Sequence, residues 1–283
     1  MSAVVSHLSL LWSQASGDLH KIFSCINSVD INIKIIVIDN SNDQILKKEI
    51  QSKYQNVECI LSKENLGYGA GNNLGLSKVK TNYALIINPD VCLKQDALKN
   101  FFITINDLED FGIIAPVSQH EKYDNFDLKH DKKIKEVDYV KGFAMFLNMK
   151  NLNKINFFDD NFFLYFEEID LCKRLKNINS KIFIDPTIEV SHIGGSSHNS
   201  EIEMPMELSR NWHWMWSTFY FHKKHYGYLS AFIKIFPKLC TSFLKFFIFF
   251  IILKRKKSEI YKHRFLGIIN SVLLRKSWYR PKI

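Results

Sequence analysis

The chain is 283 residues long, 46% hydrophobic, and carries a formal net charge of +9. That length holds one large domain or one domain plus an extension, and the apolar share is enough for a substantial core. The five cysteines, Cys25, Cys59, Cys92, Cys172 and Cys240, are odd in number and far apart. With no CxxC pair or zinc spacing, they exclude a disulfide framework and a structural zinc site, and they point to reduced thiols in a cytosolic setting. The N-terminus lacks a basic region followed by an apolar run and a small-residue cleavage site, so no signal peptide is expected. The positive balance suits an anionic partner: nucleic acid, an acidic lipid surface or a phosphorylated substrate.

In chain order, Ala3–Ser6 predicts a buried strand and Ile33–Ile38 a second, which ends at Asp39-Asn40-Ser41. Val57–Leu61 predicts a third, and Tyr83–Ile87 a fourth that ends at Asn88-Pro89-Asp90. Between them the pattern predicts helices at about 17–28, 43–54, 69–79 and 95–108. Strand–helix alternation with continuous apolar strands predicts an α/β fold whose sheet is mostly parallel and covered on both faces. Ligands of such sheets bind outside the carboxyl ends of the strands, where Asp39, Asn40 and Asp90 fall.

The segment His120–Glu136 is charged and reads as a surface loop, and the chain turns apolar again at Val137–Leu147, around Gly142. Phe162-Phe163-Leu164-Tyr165-Phe166 then leads into Glu167-Glu168-Ile169-Asp170, three acids in four positions. Two readings stand: a helix start with acids at the positive end of its dipole, or carboxylates beside apolar rings whose raised proton affinity suits a base. Asp170 and Arg174 are spaced to pair on one helix face. A strand at Lys181–Ile184, a turn-rich piece at Val190–Ser197 and a long aromatic helix from about Met206 to His225 follow.

Phe246–Leu253 is an uninterrupted apolar run of eight residues, short of the ~20 that a spanning helix needs. Extending it back to Leu229 crosses Lys234, Pro237, Lys238 and Lys245. An interfacial helix closed by the Lys254–Lys257 cluster fits, and so does a core helix shielded by the main domain. The expected division is residues 1–226 and a basic, apolar helical extension at 227–283.

Asn65-Leu66-Gly67-Tyr68-Gly69-Ala70-Gly71-Asn72-Asn73 is a glycine-rich turn that opens a helix. Its spacing fits neither a dinucleotide fingerprint nor a P-loop, and it serves equally as a ligand contact or a tight turn. Asp90 at a strand end can hold a divalent cation bridging a diphosphate or simply form a turn. His192, before Gly194-Gly195, can complete a metal shell or cap a loop.

Taken in order, Asp39, the Asn65-Leu-Gly loop, Asn88-Pro-Asp90, Gly142, Glu167-Glu168-Ile-Asp170-Leu-Cys-Lys-Arg174 and His192-Ile-Gly-Gly-Ser-Ser197 resemble glycosyltransferase family 2. These are inverting enzymes of GT-A fold, and the resemblance is strongest to bacterial rhamnosyltransferases. It covers about residues 1–226 and implies an α/β GT-A domain with a Rossmann-like central sheet and flanking helices. It also implies roles. Asp39 would contact the nucleobase or ribose, and Asn65, Gly67 and Asn73 would line the donor pocket. Asn88 and Asp90 would stand at the Asp-x-Asp motif, with Asp90 and His192 holding Mg2+ or Mn2+. Glu168 would be the catalytic base, with Glu167 as the alternative. Arg210 and Trp212, on the aromatic helix, would face a lipid-linked acceptor; simple packing of that helix on the core is the other reading.

The expected function is transfer of a sugar, L-rhamnose from dTDP-L-rhamnose or a sugar from another nucleotide sugar, to an undecaprenyl-diphosphate-linked saccharide in cell-surface polysaccharide (O-antigen or capsule) synthesis. The enzyme would sit peripherally on the anionic cytoplasmic face of a bacterial inner membrane. A non-catalytic nucleotide-sugar-binding protein is the alternative. A nucleic-acid binder is disfavoured, because the positive charge is tied to hydrophobic runs and no binding motif occurs.

Overall fold

The computed structural model describes residues 2–8, 33–88, 91–108, 110–118, 133–192 and 203–280. The helix expected at 17–28, most of the loop expected at 120–136, Asp90 and the turn after His192 lie outside the described residues, as does the side chain of His192.

The strands are β1 (Ser2–Leu8), β2 (Lys34–Asp39), β3 (Val57–Leu61), β4 (Tyr83–Ile87), β5 (Val91–Leu93), β6 (Ile113–Ser118), β7 (Lys135–Glu136), β8 (Ala144–Asn148) and β9 (Ile182–His192). Helices α1 (Gln44–Lys53), α2 (Gly67–Leu76), α3 (Ala97–Asp107), α4 (Met149–Lys154) and α5 (Glu167–Asn177) lie among them. Three longer helices follow: α6 (Glu203–Tyr226), α7 (Tyr228–Ile251) and α8 (Arg255–Val272).

The sheet order is β3-β2-β1-β4-β8-β6-β9-β5, with β7 on β9. The first four strands are all parallel, as their apolar runs predict. The other half is mixed: β8 runs antiparallel to β4 and β6, β6 is parallel to β9, and β5 and β7 run antiparallel to β9. The parallel half turns around β1, where strand order reverses direction. That is the switch point at which open α/β sheets bind ligands.

Alternation along the strands fills both faces of the sheet. Leu85 and Ile87 enter one core with Phe101 of α3, Ile50 of α1 and Phe146, whose ring stacks on Phe101 at 4.1 Å between centroids. Ala84 and Ile86 enter the other with Tyr68 and Leu76 of α2, Leu152 of α4 and Leu171 and Leu175 of α5. Both faces are therefore dry, which is why β2 and β4 read as unbroken apolar runs.

Contacts divide the chain into two compact units. One comprises Met1–Asp159 with Glu168–Ser197; the other comprises Asp160–Glu167 with His198–Ile283. Helix α6 thus packs with α7 and α8, and the boundary expected after residue 226 falls inside the second unit. What the sequence marks there is a helix break: Gly227 sits at φ +84, a conformation that glycine adopts without penalty.

In the helical unit Met215 and Phe219 of α6, Ala231 and Ile235 of α7 and Ile268 of α8 form the core. Gly267 lets α8 approach the backbone of α6, since a Cβ there would lie 2.3 Å from the carbonyl oxygen of Trp212. Backbone cannot yield as a side-chain tip does. Gly267→Ala is expected to destabilise this unit by about 2 kcal/mol or more, read as a fall in urea midpoint with unchanged slope.

Candidate active site

The candidate site is built at the carboxyl ends of β2 and β4, and three hydrogen bonds draw its segments together. Asn40, just after β2, donates from Nδ2 to the carbonyl of Gly67 at 3.3 Å. The Tyr68 hydroxyl donates to the carbonyl of Gly142. Asn88, just after β4, donates its backbone N–H to the carbonyl of Phe143 at 2.8 Å. Gly142 has a packing reason to be glycine, since a Cβ would lie 3.1 Å from the Tyr68 hydroxyl oxygen. Four motifs that are separate in sequence thus share one edge of the sheet.

Asp39 is fully buried. Its Oδ1 accepts from the backbone N–H of Ser41 at 2.7 Å and from the Ser41 hydroxyl at 2.5 Å, and its Oδ2 accepts from the N–H of Asp43 at 2.7 Å. The carboxylate expected at a nucleobase or ribose also holds the turn that connects β2 to α1. Asn65 likewise builds a turn: its Oδ1 accepts from the N–H of Gly67 at 3.1 Å, and Gly67 takes φ +79. That positive φ explains why glycine opens α2. Asn73, expected to line a donor pocket, clamps the backbone of Phe158, donating to its carbonyl at 2.9 Å and accepting from its N–H at 3.0 Å.

Sequence reasoning missed Tyr68 and Asn72. Tyr68 holds Gly142 and packs edge-on against Phe158, 5.9 Å between centroids. Its signal was a large aromatic between two glycines. Asn72 is fully buried; its amide donates to the carbonyl of Tyr68, and its Oδ1 has no partner among the described residues.

The buried Oδ1 of Asn88 also lacks a partner among the described residues. The β5–β9 register sets Val91, which follows Asp90 in sequence, opposite His192. No group of three or more His, Cys, Asp or Glu suited to a metal occurs among the described residues. An amide oxygen with no internal donor is nevertheless the hard-oxygen chemistry that Mg2+ and Mn2+ take, so Asn88 fits such an ion.

Glu167 and Glu168 open α5, and the division between the units falls between them. Glu167 is buried. Glu168 keeps part of its surface open, yet desolvation pushes its carboxyl above the usual carboxylate range, and a hydrogen bond with its own backbone offsets this only in part. One turn on, burial drives the Cys172 thiol up to about 12, with the charge of Glu168 adding to the effect. Asp170 is fully buried and accepts from Arg174 Nε at 2.7 Å, as the spacing predicts. Arg174 also donates to the carbonyl of Ile155 at 2.7 Å. This pair ties α5 to the end of α4.

In the helical unit, the aromatic run before these acids packs on α6. Phe162 and Phe163 are buried, the first edge-on to Tyr220 and the second 4.6 Å from the ring of His213. The wall expected to face an acceptor is therefore largely a docking seam. Trp212, expected at the acceptor, is fully buried and stacks on Trp216 and Tyr279. The reason is helical periodicity. Trp212 and Trp216, four apart, share the inward face, while Trp214 points away, stays 41% exposed and touches Tyr165 and Phe166. Arg210 lies half-buried on the same helix.

His213 is also buried, and desolvation lowers its pKa to about 3. Its Nε2 lies 2.8 Å from the carbonyl of Tyr279 and its Nδ1 3.0 Å from the Ser277 hydroxyl. A carbonyl only accepts, so the neutral ring carries its proton on Nε2.

A raised carboxyl pKa means that the folded state binds its proton more tightly than the unfolded chain. Such a group costs nothing below the unfolded pKa, and stability is lost as pH rises through the folded one. Glu168→Gln is expected to match wild type near pH 4 and to exceed it in urea melts at neutral and alkaline pH. A difference that grew toward acid would contradict the placement.

A family model described as Glycosyl transferase family 2 matches residues 19–173. The low-salt glycan biosynthesis hexosyltransferase Agl10 of Haloferax volcanii is 23% identical over 202 residues, covering 63% of this chain and 64% of that protein. The rhamnosyltransferase WbbL of Escherichia coli K12 is 27% identical over 215 residues, covering 64% and 81%. The chain thus spans just under two thirds of the length of the first relative. Among solved structures, the mannosyltransferase PcManGT of Pyrobaculum calidifontis, in complex with GDP-Man and Mn2+, superposes with a TM-score of 0.58 at 8% identity over 97% of this chain and 87% of that one. Residues 1–349 of Staphylococcus aureus TarS, in complex with UDP, give 0.55 at 11% identity over 99% and 92%. These likenesses show the GT-A fold, and with a family match over more than half its length the chain belongs to glycosyl transferase family 2.

Proposed function

We propose that the chain is an inverting, metal-dependent hexosyltransferase that moves L-rhamnose from dTDP-L-rhamnose to an undecaprenyl-diphosphate-linked saccharide. Its place would be the anionic cytoplasmic face of a bacterial inner membrane, in O-antigen or capsule assembly. The observation that carries the chemistry is Glu168, a partly open carboxyl with raised proton affinity in the first turn of α5. The family membership and a relative named as a rhamnosyltransferase support the sugar.

In the proposed step Glu168 takes the proton of an acceptor hydroxyl. The freed oxygen bonds to the anomeric carbon from the face opposite the leaving group. The bond from that carbon to the diphosphate breaks, and the nucleoside diphosphate departs with the electron pair. A base whose pKa approaches the working pH serves this step better than an ordinary carboxylate. Glu167, more buried, is its neighbour in the first turn and the alternative base. Asn88, Asp90 and His192 would hold Mg2+ or Mn2+, and the ion would neutralise charge on the departing diphosphate. A neutral amide at position 88 in place of a carboxylate weakens that shell by one formal charge. Asp39 and Asn65 would act through the turns they build at the donor side, and Gly67 through its backbone. Asn73 would act by holding α2 to Phe158. On the acceptor side Arg210 would meet the diphosphate of the lipid-linked saccharide.

The test is transfer to a lipid-diphosphate saccharide, followed by release of nucleoside diphosphate. Glu168→Gln is expected to keep thermal-shift binding of the donor and to lose turnover by about 100-fold or more. EDTA should abolish turnover, and Mn2+ or Mg2+ should restore it. Full activity in Glu168→Gln would remove the base assignment, and activity indifferent to chelation would remove the metal. Donor binding with neither transfer nor hydrolysis in the wild type would favour a nucleotide-sugar-binding protein without catalysis.

A further inference from the structure

We propose that α7 lies in the plane of an anionic lipid surface and inserts one named stripe of side chains below the headgroups. The inference extends the reading of a lipid-linked acceptor by assigning the contact. It uses only residues of the helical unit.

Helix α7 has 24 residues and contributes just Ala231, Ile235 and Ser242 as buried side chains. Ala231 and Ile235 face Met215, Phe219 and Ile268. On the opposite side Leu229, Ile233, Phe236, Phe243, Phe247 and Ile251 follow one another at intervals of three, four or seven residues, which places them on a single stripe. All six are exposed, from 43% at Phe243 to 74% at Ile251. At ~1.5 Å per residue the helix is about 36 Å long. Soluble monomers rarely show an apolar patch of that extent without a partner.

Charge selects the partner. From Tyr228 to Ser258 the chain contains no acid, while Lys234, Lys238, Lys245 and the Lys254–Lys257 run supply cations. Burial lowers the proton affinity of Lys238, and Lys234 and Arg264 push the same way, so positive charge is crowded along this helix. Lys245 and Lys257 lie over the rings of Tyr261 and Phe249, with their stems along the helix pair. An anionic bilayer offers apolar chains to the rings and phosphates to the ammonium groups together. None of the described helices is long and apolar enough to cross a membrane. This helix is therefore suited to lying on the surface.

The test is flotation of the full chain with phosphatidylcholine vesicles, with and without phosphatidylglycerol, in low and high salt. Circular dichroism and sedimentation velocity accompany it on every variant. Wild type should float with the anionic vesicles and be released by salt. Phe247→Glu/Ile251→Glu and, at the other end, Ile233→Glu should each lower partitioning about tenfold while leaving the helical signal and thermal transition unchanged. Lys254→Glu/Lys256→Glu/Lys257→Glu should remove the preference for phosphatidylglycerol. A wild type that never floats, apolar variants that float equally well, or a dimer dissolved by the apolar variants without vesicle binding would overturn the proposal. Vesicle binding needs neither donor nor acceptor, so its failure leaves the transferase reading standing, and a failed transfer assay leaves this contact standing.

Discussion

The local constraint on which the candidate base depends is the backbone of Tyr165 and Phe166. Both are non-glycine residues at positive φ, 70 and 71, a strain of about 1–3 kcal/mol apiece. The turn persists because its side chains are over-determined. Phe166 sits between Trp214 and Phe221, Tyr165 meets Trp214, and Phe162 meets Tyr220. The carbonyl of Leu164 accepts from the Ser217 hydroxyl at 2.9 Å, and Arg280 lies 3.6 Å over the ring of Phe163. Aromatic pairs add about 0.5–1.5 kcal/mol each beyond the area they bury, so four or more contacts of this kind are comparable to the strain. What the strain secures is the start of α5 at Glu167, with both glutamates in the first turn. Within the helical unit, α6 and the C-terminal residues around Arg280 hold the segment Phe162–Phe166 in this conformation.

The sheet supplies the other half of the account by a different economy. Its parallel strands end together, and the side chains just beyond them are used mostly on one another. Asp39, Asn65 and Asn73 satisfy backbone groups, so the turns that would receive a sugar nucleotide are built before any ligand arrives. Such preorganisation lowers the entropy that binding must overcome. The Oδ1 atoms of Asn72 and Asn88 depart from this pattern, both buried and without a donor among the described residues. Leaving buried acceptors unmatched is costly; Asn72 lies inside α2, and Asn88 just past the end of β4.

Much of this was legible in the chain. The strands Val57–Leu61 and Tyr83–Ile87 appear with those same bounds, the second because a strand dry on both faces admits mainly apolar residues. The glycine-rich helix and the Asp170–Arg174 pair follow from local spacing. What escaped is set by partners distant in sequence. Nothing in Ile113–Ser118 or Ala144–Asn148 says that one pairs parallel and the other antiparallel within the same sheet. Trp212 and Trp214 look alike in a tryptophan-rich helix until the identity of the buried face is known. Asp39 and Asn73 carry side chains suited to a ligand, and the geometry shows them bonded to their own chain. The composition change at residue 227 is a helix break, since α6 shares its core with the helices beyond it.

The central claim is that the desolvated carboxyl of Glu168 takes the acceptor proton, and the pH dependence of kcat/KM reads it most directly. The account expects activity to fall on the acid side with an apparent pKa above the ordinary carboxylate range, and expects that limb to be missing from the residual activity of Glu168→Gln. An acid limb at the usual carboxylate pKa, or one that survives the substitution, would contradict it.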